Sequence, residues 1–76
     1  MKEVLELIIK SLVDDAEAVS IEETIAEKNI DLKVKVADGD MGKVIGKQGK
    51  IAKSIRTLMK SLSAKEGKRV NIEFVD

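Results

Sequence analysis

The most restrictive feature of the chain is a run of strict alternation. Ile30, Leu32, Val34 and Val36 are apolar, and Asp31, Lys33 and Lys35 between them are charged. Such a period of two describes a strand with one face on a core and the other in solvent. A weaker copy precedes it, with Val19, Ile21 and Ile25 set against Ser20, Glu22 and Thr24. Glu27-Lys28-Asn29 is a plausible turn between the two, so the pair reads as an antiparallel hairpin. A third alternation ends the chain, with Val70, Ile72 and Phe74 separated by Asn71 and Glu73. Strands of this kind leave one apolar sheet face to be covered.

The rest of the sequence supplies the cover. Val4, Leu5, Ile8, Ile9, Leu12 and Val13 recur at helical spacing opposite Glu3, Glu6, Lys10 and Asp14, which predicts an amphipathic helix over about residues 2–14. Asp14-Asp15-Ala16-Glu17 breaks the pattern. After the turn residues Ala37-Asp38-Gly39-Asp40, with Asp40 as the expected N-cap, comes a short helix through Met41–Ile45. A third helix carries Ile51, Ile55, Leu58, Met59 and Leu62 on one stripe, with Lys50, Lys53, Arg56 and Lys60 across from it. Gly67 is a natural stop. The order α-β-β-α-α-β predicts an α+β fold, a two-layer α/β sandwich whose mixed three-stranded sheet is covered by helices on one face. The second strand is expected in the middle, parallel to the third across a right-handed crossover.

Length and composition narrow the function classes. Seventy-six residues allow one domain, expected to span 1–76. There is no cysteine and no histidine, so disulfides, thiol nucleophiles and imidazole-based metal sites are excluded, and the chain is expected to be neither an enzyme nor a cofactor or metal protein. The adjacent acids Asp14-Asp15 and Glu22-Glu23 read as solvated charge. No apolar run reaches membrane-spanning length, and a cytoplasmic protein without membrane insertion is expected. The zero net charge conceals a division: residues 1–31 hold nine acids and three bases, whereas residues 32–76 hold eleven bases and five acids. Such a layout suggests a polyanion for the second half, although a solvated lysine-rich surface would look the same.

One segment breaks local rules. Gly46-Lys47-Gln48-Gly49 interrupts two helices, and Lys47 and Lys50 stand at a helix start, where the dipole favours acids. A bound phosphate would reconcile the glycines, the unpaired helix amides and the lysines. Other phosphate motifs fit poorly. Only three residues separate Gly42 from Gly46, and Gln48 follows Lys47, against the spacing of a Walker loop; a dinucleotide fingerprint needs Gly-x-Gly-x-x-Gly after a strand. An aromatic stacking sheet is excluded, since Phe74 is the lone aromatic and its alternation turns it towards the core.

Val44-Ile45-Gly46-Lys47-Gln48-Gly49-Lys50-Ile51 resembles the KH-domain motif, and the element order resembles the type II arrangement. With Asp40-Met41-Gly42-Lys43, Ile55-Arg56-Thr57-Leu58 and Glu66-Gly67-Lys68-Arg69-Val70, nearly the whole chain is similar to the small bacterial single-KH proteins of the KhpA family. The prolines expected near Ala16 and at Asp38-Gly39 are missing. The resemblance implies single-stranded RNA held over about four nucleotides. Gly46, Lys47, Gln48 and Gly49 would contact it, Lys43 and Lys50 would flank it, and Gly42 and Lys53 complete the candidate RNA-binding set. Val44, Ile45, Ile51 and Ile55 would divide between core and base contact. The resemblance further implies an RNA chaperone or post-transcriptional regulator, a homodimer or a heterodimer with a larger Jag/EloR-type KH protein, and a link to cell shape. Two other readings remain open from the residues alone. Residues 50–62 could be the recognition helix of a DNA binder, or the loop could be structural in a pure interaction module.

Overall fold

A computed structural model describes residues 1–75. The strands are β1 (Ser20–Ile25), β2 (Asn29–Lys35) and β3 (Arg69–Val75); the helices are α1 (Lys2–Leu12), α2 (Met41–Ile45) and α3 (Lys50–Ala64). The sheet order is β1-β2-β3, antiparallel between β1 and β2 and parallel between β2 and β3. The fold is therefore α+β in the KH type II arrangement, with the most regular alternation in the sequence at its centre. A trihelical DNA-binding domain is ruled out by the sheet.

Burial follows the alternation closely in β2, where Ile30, Leu32 and Val34 are buried and Asp31, Lys33 and Lys35 exposed. Leu5 and Ile9 of α1, Val44 of α2, and Ile55 and Met59 of α3 close over that face. β1 holds the pattern less well. Ile21 is buried, but Ile25, expected inside, is 60% exposed at the strand end. The α3 stripe is also rotated from the expected one. Its buried residues are Ala52, Ile55, Met59 and Ser63, while Ile51 and Leu58 lie at the exposed border. Small residues at 52 and 63 let the helix settle onto the sheet at those points, which a count of large apolar residues overlooks.

The connections are tighter than the sequence suggested. α1 ends at Leu12, since Val13 is extended at ψ 159° although its N–H still reaches Ile9 O. Both sites where proline was expected lie in single 3-10 turns, Ala16–Ala18 and Asp38–Asp40. The C-terminal end of α3 is closed by a Schellman arrangement: Gly67 (φ +71°) donates to Ala64 O, and Lys68 donates to Ser63 O. That turn sends β3 back along α3.

Met59 has no exposed surface, whereas its neighbour Leu58 is 48% exposed. Met59→Ala should cost about 2–5 kcal/mol and Leu58→Ala less than about 1 kcal/mol. Urea denaturation of the two variants checks this; equal losses would contradict the placement of α3.

Candidate nucleic-acid interface

The turn between α2 and α3 is compact because of one glycine. Gly46 has φ +77° and ψ 174°, a region that only glycine occupies readily. A Cβ at Gly46 would fall 2.6 Å from Ile51 Cγ1 and 3.0 Å from Ile51 Cβ. Ile51 thus lies against the bare backbone and holds the two helices together. Gln48 (φ +58°) and Gly49 (φ +72°) then take successive left-handed conformations. A Cβ at Gly49 or at the helical Gly42 would meet nothing within 4 Å, so packing does not demand glycine at either place.

The loop amides are partly satisfied. Gly46 N–H donates to Gly42 O, Gly49 N–H to Gly46 O, and Lys50 N–H to Lys47 O. The 3-10 turn Lys47–Gly49 therefore takes up two of the four amides that a helix start leaves without intrahelical partners, a correction to the expectation that all were free. Lys47 and Gln48 lie exposed at the tip of this turn. Among the described residues no side chain caps α3, and its first turn carries no acid.

The lysines divide into two kinds. Lys47, Lys50 and Lys53 are exposed and form no ion pair among the described residues. The loop brings Lys47 and Lys50 to one tip, and Lys53 follows one turn along α3 beside Ser54, Thr57 and Leu58. Lys43 is different. Its ammonium is bound by the carboxylates of Asp14 and, at 3.2 Å, Asp40. Both contacts raise its pKa, the hydrogen bond to Asp14 foremost. Asp14, expected to be plain solvated charge, is thus one end of a bridge from the segment after α1 to α2.

Asp40 is the buried member of that bridge, at 4% exposure. It does not cap α2 with its side chain, because its own backbone is helical (φ −102°, ψ −9°) where a capping side chain needs an extended one. Instead its carboxylate accepts the Asp15 N–H at 3.0 Å and the Lys43 ammonium. The Asp15 amide is the main cause holding its pKa below the ordinary carboxylate value, against the opposing effect of burial.

The apolar quartet beside the loop is divided by burial. Val44 and Ile55 belong to the core, Ile45 is half-buried against it, and Ile51 is at the exposed border. Phe74, expected inside, is only partly buried, and the Arg56 guanidinium stands 5.3 Å from its ring centroid. Arg56 Nε also donates to Ile72 O at 3.2 Å. The sequence grouped Arg56 with the solvated lysines. It sits on the flank of α3 nearest β3, and neither partner is adjacent to it in sequence, so no local pattern marked it.

Two predictions follow from the glycines and from Asp40. Gly49→Ala should cost about 1 kcal/mol from its left-handed backbone alone. Gly46→Ala should cost more, about 2–3 kcal/mol, because strain and the Ile51 contact act together; urea melts compare them. Because the folded state depresses the Asp40 pKa, its stabilising effect is full above the unfolded value, near 3.9, and fades as pH falls through the folded value. Asp40→Asn should therefore be less stable than wild type at pH 7, with the gap closing below about pH 4. Parallel melts from pH 7 to pH 2 would show it, and a gap independent of pH would contradict it.

A family model described as "KhpA/KhpB, KH domain" matches residues 2–74. A Clostridium perfringens protein named RNA-binding protein KhpA is 53% identical over 75 residues, covering 99% of this chain and all of the relative. A protein of the same name from Clostridium acetobutylicum is 55% identical over the same shares, and one from Aquifex aeolicus is 40% identical over all of this chain and 96% of its own. No solved structure gives a significant match. With the type II topology and the Gly-x-x-Gly turn in place, the match across nearly the full length shows that this chain belongs to the KhpA/KhpB family of KH domains.

Proposed function

We propose that this chain binds single-stranded RNA, clamping the backbone of about four nucleotides over Gly46-Lys47-Gln48-Gly49. The observation that carries the reading is the contrast among the lysines. Lys43 is neutralised by Asp14 and Asp40, while Lys47 and Lys50 form no ion pair among the described residues and stand at the start of α3, where the first turn holds no acid. Uncompensated cations at a helix start are unfavourable unless an anion joins them. Lys47, Gln48 and the loop amides meet phosphate, and Lys50 and Lys53 extend the positive field. The open space over Gly42 and Gly49 lets a ligand backbone approach. Lys43 lies beside the site and holds α2 in place. The names of the relatives, RNA-binding proteins, support the ligand class.

Arg56 over Phe74 offers bases a flat cationic surface without a stacking sheet. A site so small binds weakly. A dimer, with itself or with a larger Jag/EloR-type KH protein, would gain affinity by presenting two loops to one strand. The role is then that of a cytoplasmic RNA chaperone or post-transcriptional regulator, in one non-enzymatic KH domain over 1–76, with effects on cell shape. No helix among the described residues is long and apolar enough to cross a membrane.

Neutralising three or four phosphates predicts a slope of log K against log salt of roughly −2 to −3. The double substitution Lys47→Asp with Gln48→Asp should abolish binding without loss of fold, since both side chains are exposed. Fluorescence anisotropy with labelled oligoribonucleotides tests this. Unchanged affinity in a folded double variant would refute the loop as the site.

A further inference from the structure

The basic residues that begin at the Gly-x-x-Gly loop do not stop at Arg56. The reversal at Gly67 makes β3 run back along α3. α3 alone has 15 residues, which is about 22 Å at 1.5 Å per residue. At its far end lies a groove of about 340 Å³ lined by Lys60, Ala64, Lys68, Arg69, Val70 and Asn71. Among the described residues β3 has no neighbour on its outer side. Arg69 N–H turns inward to Lys28 O, so by alternation the amide and carbonyl of Val70 turn outward along this groove.

Charge and continuity identify the occupant. Lys60, Lys68 and Arg69 form no ion pair among the described residues. Lys53, Arg56 and Lys60 succeed one another at intervals of three and four residues, which keeps them on one flank of α3. Positive groups thus run from the loop to the far end of the helix. Glu66, in the exposed turn, is the only acid between Lys43 and Arg69. Three cations around a groove whose floor includes the buried Val70, with outward backbone donors and acceptors at its rim, fit a continuing phosphodiester strand.

We propose that the groove between the C-terminal half of α3 and the start of β3 is a second phosphate site, where Lys60, Lys68 and Arg69 hold the same RNA strand beyond the nucleotides clamped by the loop. This inference rests on the RNA reading of the loop. It makes the protein a reader of strand length: a short oligomer fills the loop alone, and a longer one reaches both sites and gains through effective concentration.

The test measures anisotropy with oligouridines of four and ten nucleotides over a series of salt concentrations. It uses wild type, the triple variant Lys60→Gln/Lys68→Gln/Arg69→Gln and the loop variant Lys47→Asp/Gln48→Asp, each checked for an unchanged thermal melt. Wild type should bind the tenmer with a salt slope steeper by about 2 than the tetramer, since each added phosphate contact contributes about 0.7. The triple variant should lose that extra slope and on the order of tenfold in tenmer affinity, while its tetramer affinity stays at the wild-type value. Equal tenmer affinity in the triple variant and wild type overturns the groove and leaves the loop reading intact. Equal losses for both oligomers also overturn it, since a general field and not a second site would then be at work. Undiminished binding by the loop variant overturns the loop reading, and the groove proposal with it.

Discussion

The arrangement depends on the approach of Ile51 to the bare backbone of Gly46. At 2.6 Å from where a Cβ would lie, the Ile51 side chain allows no other residue there without displacement. The chain turns from α2 into α3 within four residues, with left-handed steps at Gln48 and Gly49. The turn closes the Gly49 and Lys50 amides upon itself and leaves the Lys47 and Gln48 side chains exposed at its tip. The close approach of Ile51 to Gly46 thus joins the two helices at the base of an exposed loop.

A second constraint acts on the other side of α2. Asp40 is buried and would be destabilising if unpaired; the Asp15 amide and the Lys43 ammonium satisfy it, and Asp14 joins from the segment after α1. The bridge ties the acidic first half of the chain to the base of the loop. It also sets Lys43, which has two carboxylate partners, apart from Lys47 and Lys50. The charge division visible in the sequence is therefore not two independent surfaces, since one acid of the first half is consumed in holding a base of the second.

Much of the fold was legible because its signals are periodic. The alternation from Ile30 to Val36 placed the central strand, and the strand order followed from handedness and the crossover. Gly46 and Gly49 were legible as glycines that a turn requires, and both have positive φ. Where the sequence misled, a tertiary partner decided the outcome. Asp40 looked like a cap but serves Asp15, 25 residues away. Arg56 looked solvated but spans Phe74 and the Ile72 carbonyl. The α3 stripe was displaced because Ala52 and Ser63, which carry little hydrophobic signal, face the sheet. None of these pairings has a local pattern from which it could be read.

The most direct test of the central claim is an NMR titration of the labelled protein with a short single-stranded oligoribonucleotide, following every backbone amide. The account predicts that the Lys47 and Gln48 amides, at the exposed tip of the loop, move first and furthest. Those of Asp31 and Lys33, on the uncovered sheet face, should stay in place. Shifts concentrated on that sheet face, with the loop amides silent, would contradict it.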